Sequence, residues 1–172
     1  MIKAFSYRLA VSLKSFSGVH EASVQVLQYA LINMINIVSI IIIISIVSGI
    51  LGTFPETMLA LILFIIIRFL SGGSHLKQAE SCIIVSSAIL SIVPFVPVSA
   101  AVIWPIGFIS LLLHILYAPQ KLKWRKIPER HLIYFKISSC IFILSGLVVE
   151  SDVFALVCLI QSVTLLPKLN EE

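Results

Sequence analysis

The sequence predicts an all-α membrane protein, a polytopic helical bundle of about six transmembrane helices preceded by an amphipathic interfacial helix. Of its 172 residues, 59% are hydrophobic and only 12% are charged, which is too little polar surface for a soluble domain of this size. The charged residues are clustered, and the uncharged runs between the clusters are long and continuously apolar. Continuous runs favour helices over the strands of a membrane barrel, which alternate in segments of about 10 residues.

The candidate spans follow from these runs, since a bilayer core requires about 20 apolar residues per helix and about 17 at the short end. The run over residues 81–120 is long enough for two spans, folded back near Pro94, Pro97 and Ser99. The predicted spans are Ile35–Leu51, Pro55–Leu70, Ser81–Val98, Ala101–Ala118, Leu132–Val149 and Val153–Leu169. We expect a single integral membrane domain over residues 1–172, with the transmembrane bundle at residues 35–169.

Residues 2–17 have a different pattern, in which apolar side chains recur at helical spacing and basic side chains occupy the rest of the helical wheel. The apolar positions are Ile2, Phe5, Leu9, Leu13 and Phe16, and the basic ones are Lys3, Arg8 and Lys14. This pattern predicts an amphipathic helix that lies on the inner leaflet of the membrane.

The distribution of charge predicts the orientation. If the N-terminus is cytoplasmic, all 12 Lys and Arg residues lie in or beside cytoplasmic segments, and the opposite loops carry only Glu56, Glu150 and Asp152. This is the distribution that the positive-inside rule predicts. We therefore expect a multi-pass protein with both termini in the cytoplasm. The net charge of +4 then reflects orientation and contact with anionic membrane lipids, and it does not imply nucleic-acid binding.

The polar groups best suited to chemistry lie at residues 68–82. Gly72 and Gly73 release the backbone from helical geometry, and His75 and Cys82 follow them. An imidazole can accept the proton of a thiol, and a helix N-terminus stabilises the resulting thiolate. One regular helix through both residues would separate their Cα atoms by about 10.5 Å along its axis. The helix must therefore begin after His75 if the two groups are to meet.

Other interpretations of the polar residues stay open at this point. A lone cysteine at a span end is more often a small apolar residue, and a lone histidine there is more often an interfacial polar group. A small transporter or channel would line its path with the intramembrane residues Asn33, Asn36, His114 and Gln161. A metalloprotein would use His75, Cys82 and His114, but these residues lack paired ligand spacing. We expect no metal and no cofactor.

The pattern Arg-x-x-Ser-Gly-Gly-x-His from Arg68 to His75, followed by Cys82, resembles the signature of the accessory gene regulator B family. Members of that family are membrane endopeptidases that process the propeptides of cyclic quorum-sensing signals. Two further stretches agree, Tyr117-Ala118-Pro119 with the basic loop after it, and Thr164-Leu165-Leu166-Pro167. The resemblance extends in order over almost the whole chain.

The resemblance implies a cysteine endopeptidase of the bacterial cell membrane, with His75 and Cys82 as the catalytic dyad on the cytoplasmic side. It also implies that Arg68, Gly72 and Gly73 shape or polarise the site. Many members carry a Tyr-Gly-Leu-Glu run before the first span, but this chain has Tyr29-Ala30-Leu31-Ile32. This chain therefore has no glutamate at that position. Its role is either unfilled here or taken by Glu21, or by Glu80 as a supporting residue.

The implied substrate is a small propeptide with an amphipathic leader, a short core and an acidic tail. Cleavage at the junction of core and tail would leave a thioester on Cys82, and attack by the core on this thioester would form a lactone or thiolactone. The residues that could bind the tail are Lys121, Lys123, Arg125, Lys126 and Arg130. Their alternative role is in topology and lipid contact. The family also leaves a homodimer open as an alternative to a monomer.

Overall fold

The computed structural model describes residues 2–17, 23–73, 78–120 and 129–166, with the side chains of the last segment described from His131 onward. These residues form helices and no strand. The helices are α1 (Ile2–Ser17), α2 (Val24–Leu51), α3 (Phe54–Ser71), α4 (Ala79–Ile92), α5 (Ala100–Tyr117), α6 (Glu129–Val149) and α7 (Asp152–Val163). The all-α prediction is confirmed.

Among the described residues, four helices are long and apolar enough to cross a membrane, namely α2, α3, α5 and residues His131–Val149 of α6. Two shorter apolar segments accompany them, Ala79–Phe95 and α7. Together with α1, these elements follow the predicted order of one surface helix and about six membrane helices.

The predicted reversal between the third and fourth spans is confirmed. After α4 the chain continues as the short 3-10 helix Val93–Phe95, and α5 begins directly after Ser99. Pro94 and Pro97 lie in this reversal. Proline is tolerated there because the chain does not form a continuous helix that would need its missing backbone N–H.

Two helix ends differ from the predicted spans. The first span was expected from Ile35, but α2 begins at Val24 because the Ser23 hydroxyl accepts the Val26 N–H at 3.3 Å and caps the helix. The last span was expected to reach Leu169, but α7 ends at Val163.

The early end of α7 has a local cause. The Thr164 hydroxyl donates to the Gln161 carbonyl at 2.7 Å and so satisfies one of the last carbonyl groups of the helix. Beyond it, Pro167 disfavours the helical conformation at Leu166, the residue that precedes it.

The helices α3 and α7 lie at the centre of the bundle. Helix α3 packs against α2, α4, α6 and α7, while α7 also contacts α5. Their shared core contains Ile44, Leu61, Ile67, Leu90, Ile143 and Val157. Many large apolar side chains of α2, α5 and α6 point away from this core and are exposed on the outer surface of the bundle. That surface suits contact with lipid, which does not require polar side chains.

Helix α1 packs against α2 and α4 through small residues. Ser6 and Ala10 are fully buried, whereas Phe5 and Phe16 on the predicted apolar stripe are 62% and 94% exposed. A surface helix that inserts its apolar side chains into a leaflet requires this arrangement.

Helix α6 approaches its neighbours closely at Gly146. A Cβ atom on Gly146 would overlap the ring of Phe154 on α7. That ring cannot move away easily, because it is buried and lies 4.9 Å from the ring of Phe142, centroid to centroid.

We therefore expect Gly146→Ala to lower the free energy of unfolding by about 1–3 kcal/mol, as overpacking of a core does. Unfolding of the purified protein in detergent measures the change. Gly49→Ala is the matched control, because Gly49 also lies inside a helix but has no atom within 4 Å of its added Cβ. The control should keep or raise stability, since alanine favours helix more than glycine does. An equal loss in both variants would contradict the packing argument.

Candidate active site

The site begins at a glycine turn that ends α3. Gly72 and Gly73 have φ values of 74° and 135°, which glycine adopts at little cost because it has no Cβ. The Gly72 N–H still donates to the Arg68 carbonyl at 2.9 Å, so the helix is closed there before the chain turns away. The predicted release from helical geometry at the glycine pair is confirmed.

Three segments that are far apart in sequence meet at this turn. The Gln161 side chain of α7, which is fully buried, donates to the Ser71 hydroxyl at 2.9 Å and to the Gly72 carbonyl at 2.5 Å. The Gln120 N–H donates to the Ser71 carbonyl at 3.0 Å. The Gln120 side chain also donates to the Leu165 carbonyl at 2.8 Å. These bonds join the C-terminal ends of α3, α5 and α7.

The close fit of Gly73 shows why a side chain is excluded there. A Cβ atom on Gly73 would lie 2.7 Å from Thr164 Oγ1, 3.1 Å from Gln161 Nε2 and 3.3 Å from Arg68 Nη1. Arg68 and the end of α7 therefore enclose the backbone of Gly73. This contact gives a structural reason for glycine at the motif position.

Cys82 lies in the first turn of α4. The helix begins at Ala79, so the condition that it start after His75 is met. The Cys82 N–H donates to the Gln78 carbonyl at 3.2 Å. The first turn of a helix carries a partial positive charge. His75 lies outside the described residues, and its meeting with Cys82 stays a prediction.

Arg68 and Cys82 line one pocket of about 260 Å³ between α2, α3 and α4. The Arg68 guanidinium carbon lies 5.6 Å from the centroid of the Phe64 ring, which also lines the pocket. The other lining residues are Asn33, Asn36, Ile37, Ile40, Leu61, Ile65, Phe69 and Ser86.

Glu80 has contacts on another side of α4. Its carboxylate accepts the Ile2 N–H at 3.1 Å and so ties α1 to the start of α4. Positions two apart on a helix do not share a face, and Glu80 is not among the residues that line the pocket with Cys82. Its supporting role at the thiol stays a prediction.

The predicted tail-binding residues are mostly beyond the described part of the chain. Lys121, Lys123, Arg125 and Lys126 lie outside it, as does the alternative acid Glu21. Arg130 falls in the first turn of α6, but its side chain is not described.

The polar residues assigned to a transporter path contact different parts of the bundle. Asn33 and Asn36 line the pocket, whereas Gln161 bonds to the glycine turn. His114 is fully buried between α5 and α7, with Nδ1 2.9 Å from the Ser110 carbonyl and 3.2 Å from Ser162 Oγ. This placement does not favour a single path, and the contact of His114 Nδ1 with Ser162 joins two helices.

Gln161 is the residue whose role the sequence analysis missed. A buried carboxamide requires hydrogen-bond partners, so a glutamine in an apolar helix signals a specific contact. Its position just before the Thr164-Leu165-Leu166-Pro167 motif was a further signal. Neither signal indicates which residues would be its partners.

The accessory gene regulator B family matches residues 6–166, nearly the whole chain. Comparison with curated proteins gave no match, and comparison with solved structures gave none either. The matched range includes the glycine turn, the residues after α5 and the end of α7, which the fold brings together. The chain therefore belongs to the accessory gene regulator B family, membrane proteins that take part in processing the propeptides of quorum-sensing signals.

Proposed function

We propose that the chain is a membrane cysteine endopeptidase that cleaves the acidic tail from a small signal propeptide and cyclises the remaining core. The observation that carries this proposal is the shared pocket of Cys82 and Arg68 beside the glycine turn. This pocket holds a thiol from the first turn of α4 and a guanidinium from the preceding helix α3, and His75 lies between these two residues in the sequence. Membership of the family supplies the substrate class.

In the first step, the Cys82 thiol gives its proton to His75, and the thiolate sulfur attacks the carbonyl carbon at the junction of core and tail. The Arg68 guanidinium stabilises the negative charge that develops on the carbonyl oxygen. The C–N bond then breaks, and the amine of the departing tail takes a proton from His75. The leader and core remain on Cys82 as a thioester.

In the second step, the thioester is consumed within the peptide. A thiol or hydroxyl of the core gives its proton to His75 and attacks the thioester carbonyl. The bond between this carbon and the Cys82 sulfur breaks, and the sulfur takes a proton from His75. This restores the enzyme and releases a thiolactone or lactone. Most residues that line the pocket are apolar, and exclusion of water favours cyclisation over hydrolysis.

The acidic tail is held by the basic loop that contains Lys121, Lys123, Arg125, Lys126 and Arg130, since opposite charges steer and align the two surfaces. Gln120 supports this assignment, because it immediately precedes the loop and its N–H bonds to the Ser71 carbonyl. The residue that precedes the loop therefore lies at the same end of the bundle as the glycine turn. In this proposal that end faces the cytoplasm, as the distribution of basic residues predicts.

Capture of the thioester tests the proposal. A propeptide whose core lacks its own thiol or hydroxyl nucleophile cannot cyclise, so the acyl-enzyme should accumulate. Mass spectrometry should find the leader and core attached to Cys82, in an adduct that hydroxylamine removes. Cys140→Ala is the matched control and should form the same adduct, because Cys140 is absent from the pocket lining. Release of the tail without any adduct on Cys82, even after rapid quenching, would contradict the proposed mechanism.

A further inference from the structure

The pocket that contains Cys82 has the composition of a site for an apolar group. Its walls include Ile37, Ile40, Leu61, Phe64 and Ile65, and its volume is about 260 Å³. Sites for small organic ligands usually enclose about 300–1,000 Å³. The pocket is therefore small for a separate ligand and suits one or two side chains of a peptide.

Asn36 is a polar residue of the pocket wall, and its side-chain oxygen can accept a hydrogen bond from whatever occupies the pocket. The residue is 7% exposed, and its Oδ1 is buried without a hydrogen-bond partner among the residues that the structure describes. A buried acceptor without a donor is unfavourable, so an occupant that brings an N–H or O–H group would be stabilised there. A peptide residue provides both an apolar side chain and a backbone N–H. An acyl chain of a lipid would fill the apolar walls but has no donor for Asn36.

We infer that this pocket binds the apolar side chain of the substrate residue whose carbonyl Cys82 attacks, with a nearby backbone N–H of the substrate donating to Asn36 Oδ1. The pocket thus selects a large apolar residue before the scissile bond over a small or an acidic one. The inference rests on the proposed function, because it takes the pocket occupant to be the peptide that Cys82 acylates.

Ser86 offers a direct way to alter the pocket. It lies one helical turn after Cys82 on α4, and both residues line the pocket. Ser86→Phe should fill the space beside the thiol. Ala88→Phe is the matched control, since Ala88 lies on the same helix, is exposed and is absent from the lining.

The test uses peptidyl chloromethyl ketones that differ only in the residue next to the ketone, which is phenylalanine, leucine, alanine or aspartate. Mass spectrometry of the Cys82 peptide gives the rate of alkylation by each probe. In the unaltered protein, the phenylalanine and leucine probes should react at least about tenfold faster than the alanine and aspartate probes, the order expected for a side-chain pocket. Ser86→Phe should bring the phenylalanine-to-alanine ratio close to one, and Ala88→Phe should leave it unchanged.

Asn36→Leu provides a second variant that keeps the size of the side chain and removes the acceptor. It should slow alkylation by the phenylalanine probe about five- to tenfold and leave modification of Cys82 by methyl methanethiolsulfonate, which has no N–H or O–H group, unchanged. Equal slowing with both reagents would count against the hydrogen bond.

An unchanged phenylalanine-to-alanine ratio in Ser86→Phe, with Cys82 still alkylated, would overturn the inference. The proposed function is assayed separately, by release of the tail from the propeptide. Cleavage that depends on Cys82 combined with a ratio insensitive to Ser86 would refute the pocket assignment alone. A ratio that depends on Ser86 without any cleavage would refute the peptidase and leave the apolar site in place.

Discussion

Cys82→Ala is expected to lower the rate of tail release by at least about 10,000-fold, since loss of a peptidase nucleophile removes several orders of magnitude of rate. The substitution deletes one sulfur atom at a partly exposed position in the first turn of α4. Alanine is a good helix former, so the fold should be retained. The measurement is the appearance of free tail by mass spectrometry, in membranes that contain equal amounts of the variant and the unaltered protein.

The two other cysteines are the controls for this experiment. Cys140 is partly buried on α6 and Cys158 is buried on α7, and neither is among the residues that line the pocket with Arg68. Cys140→Ala and Cys158→Ala should therefore keep tail release within a few-fold of the unaltered rate. Processing that survives Cys82→Ala would remove the thioester mechanism, and processing lost in either control would point to a different thiol.

Gly73→Ala is expected to have the second largest effect, a loss of processing of about 100-fold. A non-glycine residue at a φ of 135° is strained by about 1–3 kcal/mol, and its Cβ would lie only 2.7 Å from Thr164 Oγ1. The turn must then move away from Arg68 and α7. A displacement of about 1 Å in a catalytic segment can reduce the rate 100-fold. The rate of tail release at saturating propeptide measures the effect.

Gly52→Ala separates backbone strain from crowding. Gly52 also has a positive φ of 72°, but no atom of the described residues lies within 4 Å of its added Cβ, and it is remote in sequence from the motif at residues 68–82. This control should lose some stability and keep the rate of processing. If both variants lose activity equally, general destabilisation explains the result, and the contact between Gly73 and Thr164 has no special role.

The order and the approximate ends of the helices were predictable from the sequence, because the features that set them act within one segment of the chain. Long apolar runs, the glycine pair at residues 72–73 and the prolines at 94 and 97 act on their own segments of backbone. The end of α7 was placed too late at Leu169, since hydropathy continues past Val163 while the hydrogen bond of Thr164 and the effect of Pro167 are not visible in a hydropathy average.

The site was predictable in part. The motif identified Arg68, Gly73 and Cys82 along one segment, and the structure brings Arg68 beside both of the others. The contributions of Gln120 and Gln161 were not predicted, because their bonds to Ser71 and Gly72 join helices that are distant in the chain. Asn33 and Asn36 were noted as polar residues in an apolar span, but without a place in the site.

The residues alone were enough to predict an all-α membrane protein with Cys82 in the first turn of a helix that follows a glycine turn. Periodicity, helix capping and backbone freedom decide these features within one segment. The packing of the helices showed that Gln161 of α7 bonds to the glycine turn and that Asn36 of α2 lines the Cys82 pocket. These contacts cannot be read from one segment, because a buried polar group requires a partner and in a helical bundle this partner can come from any neighbouring helix.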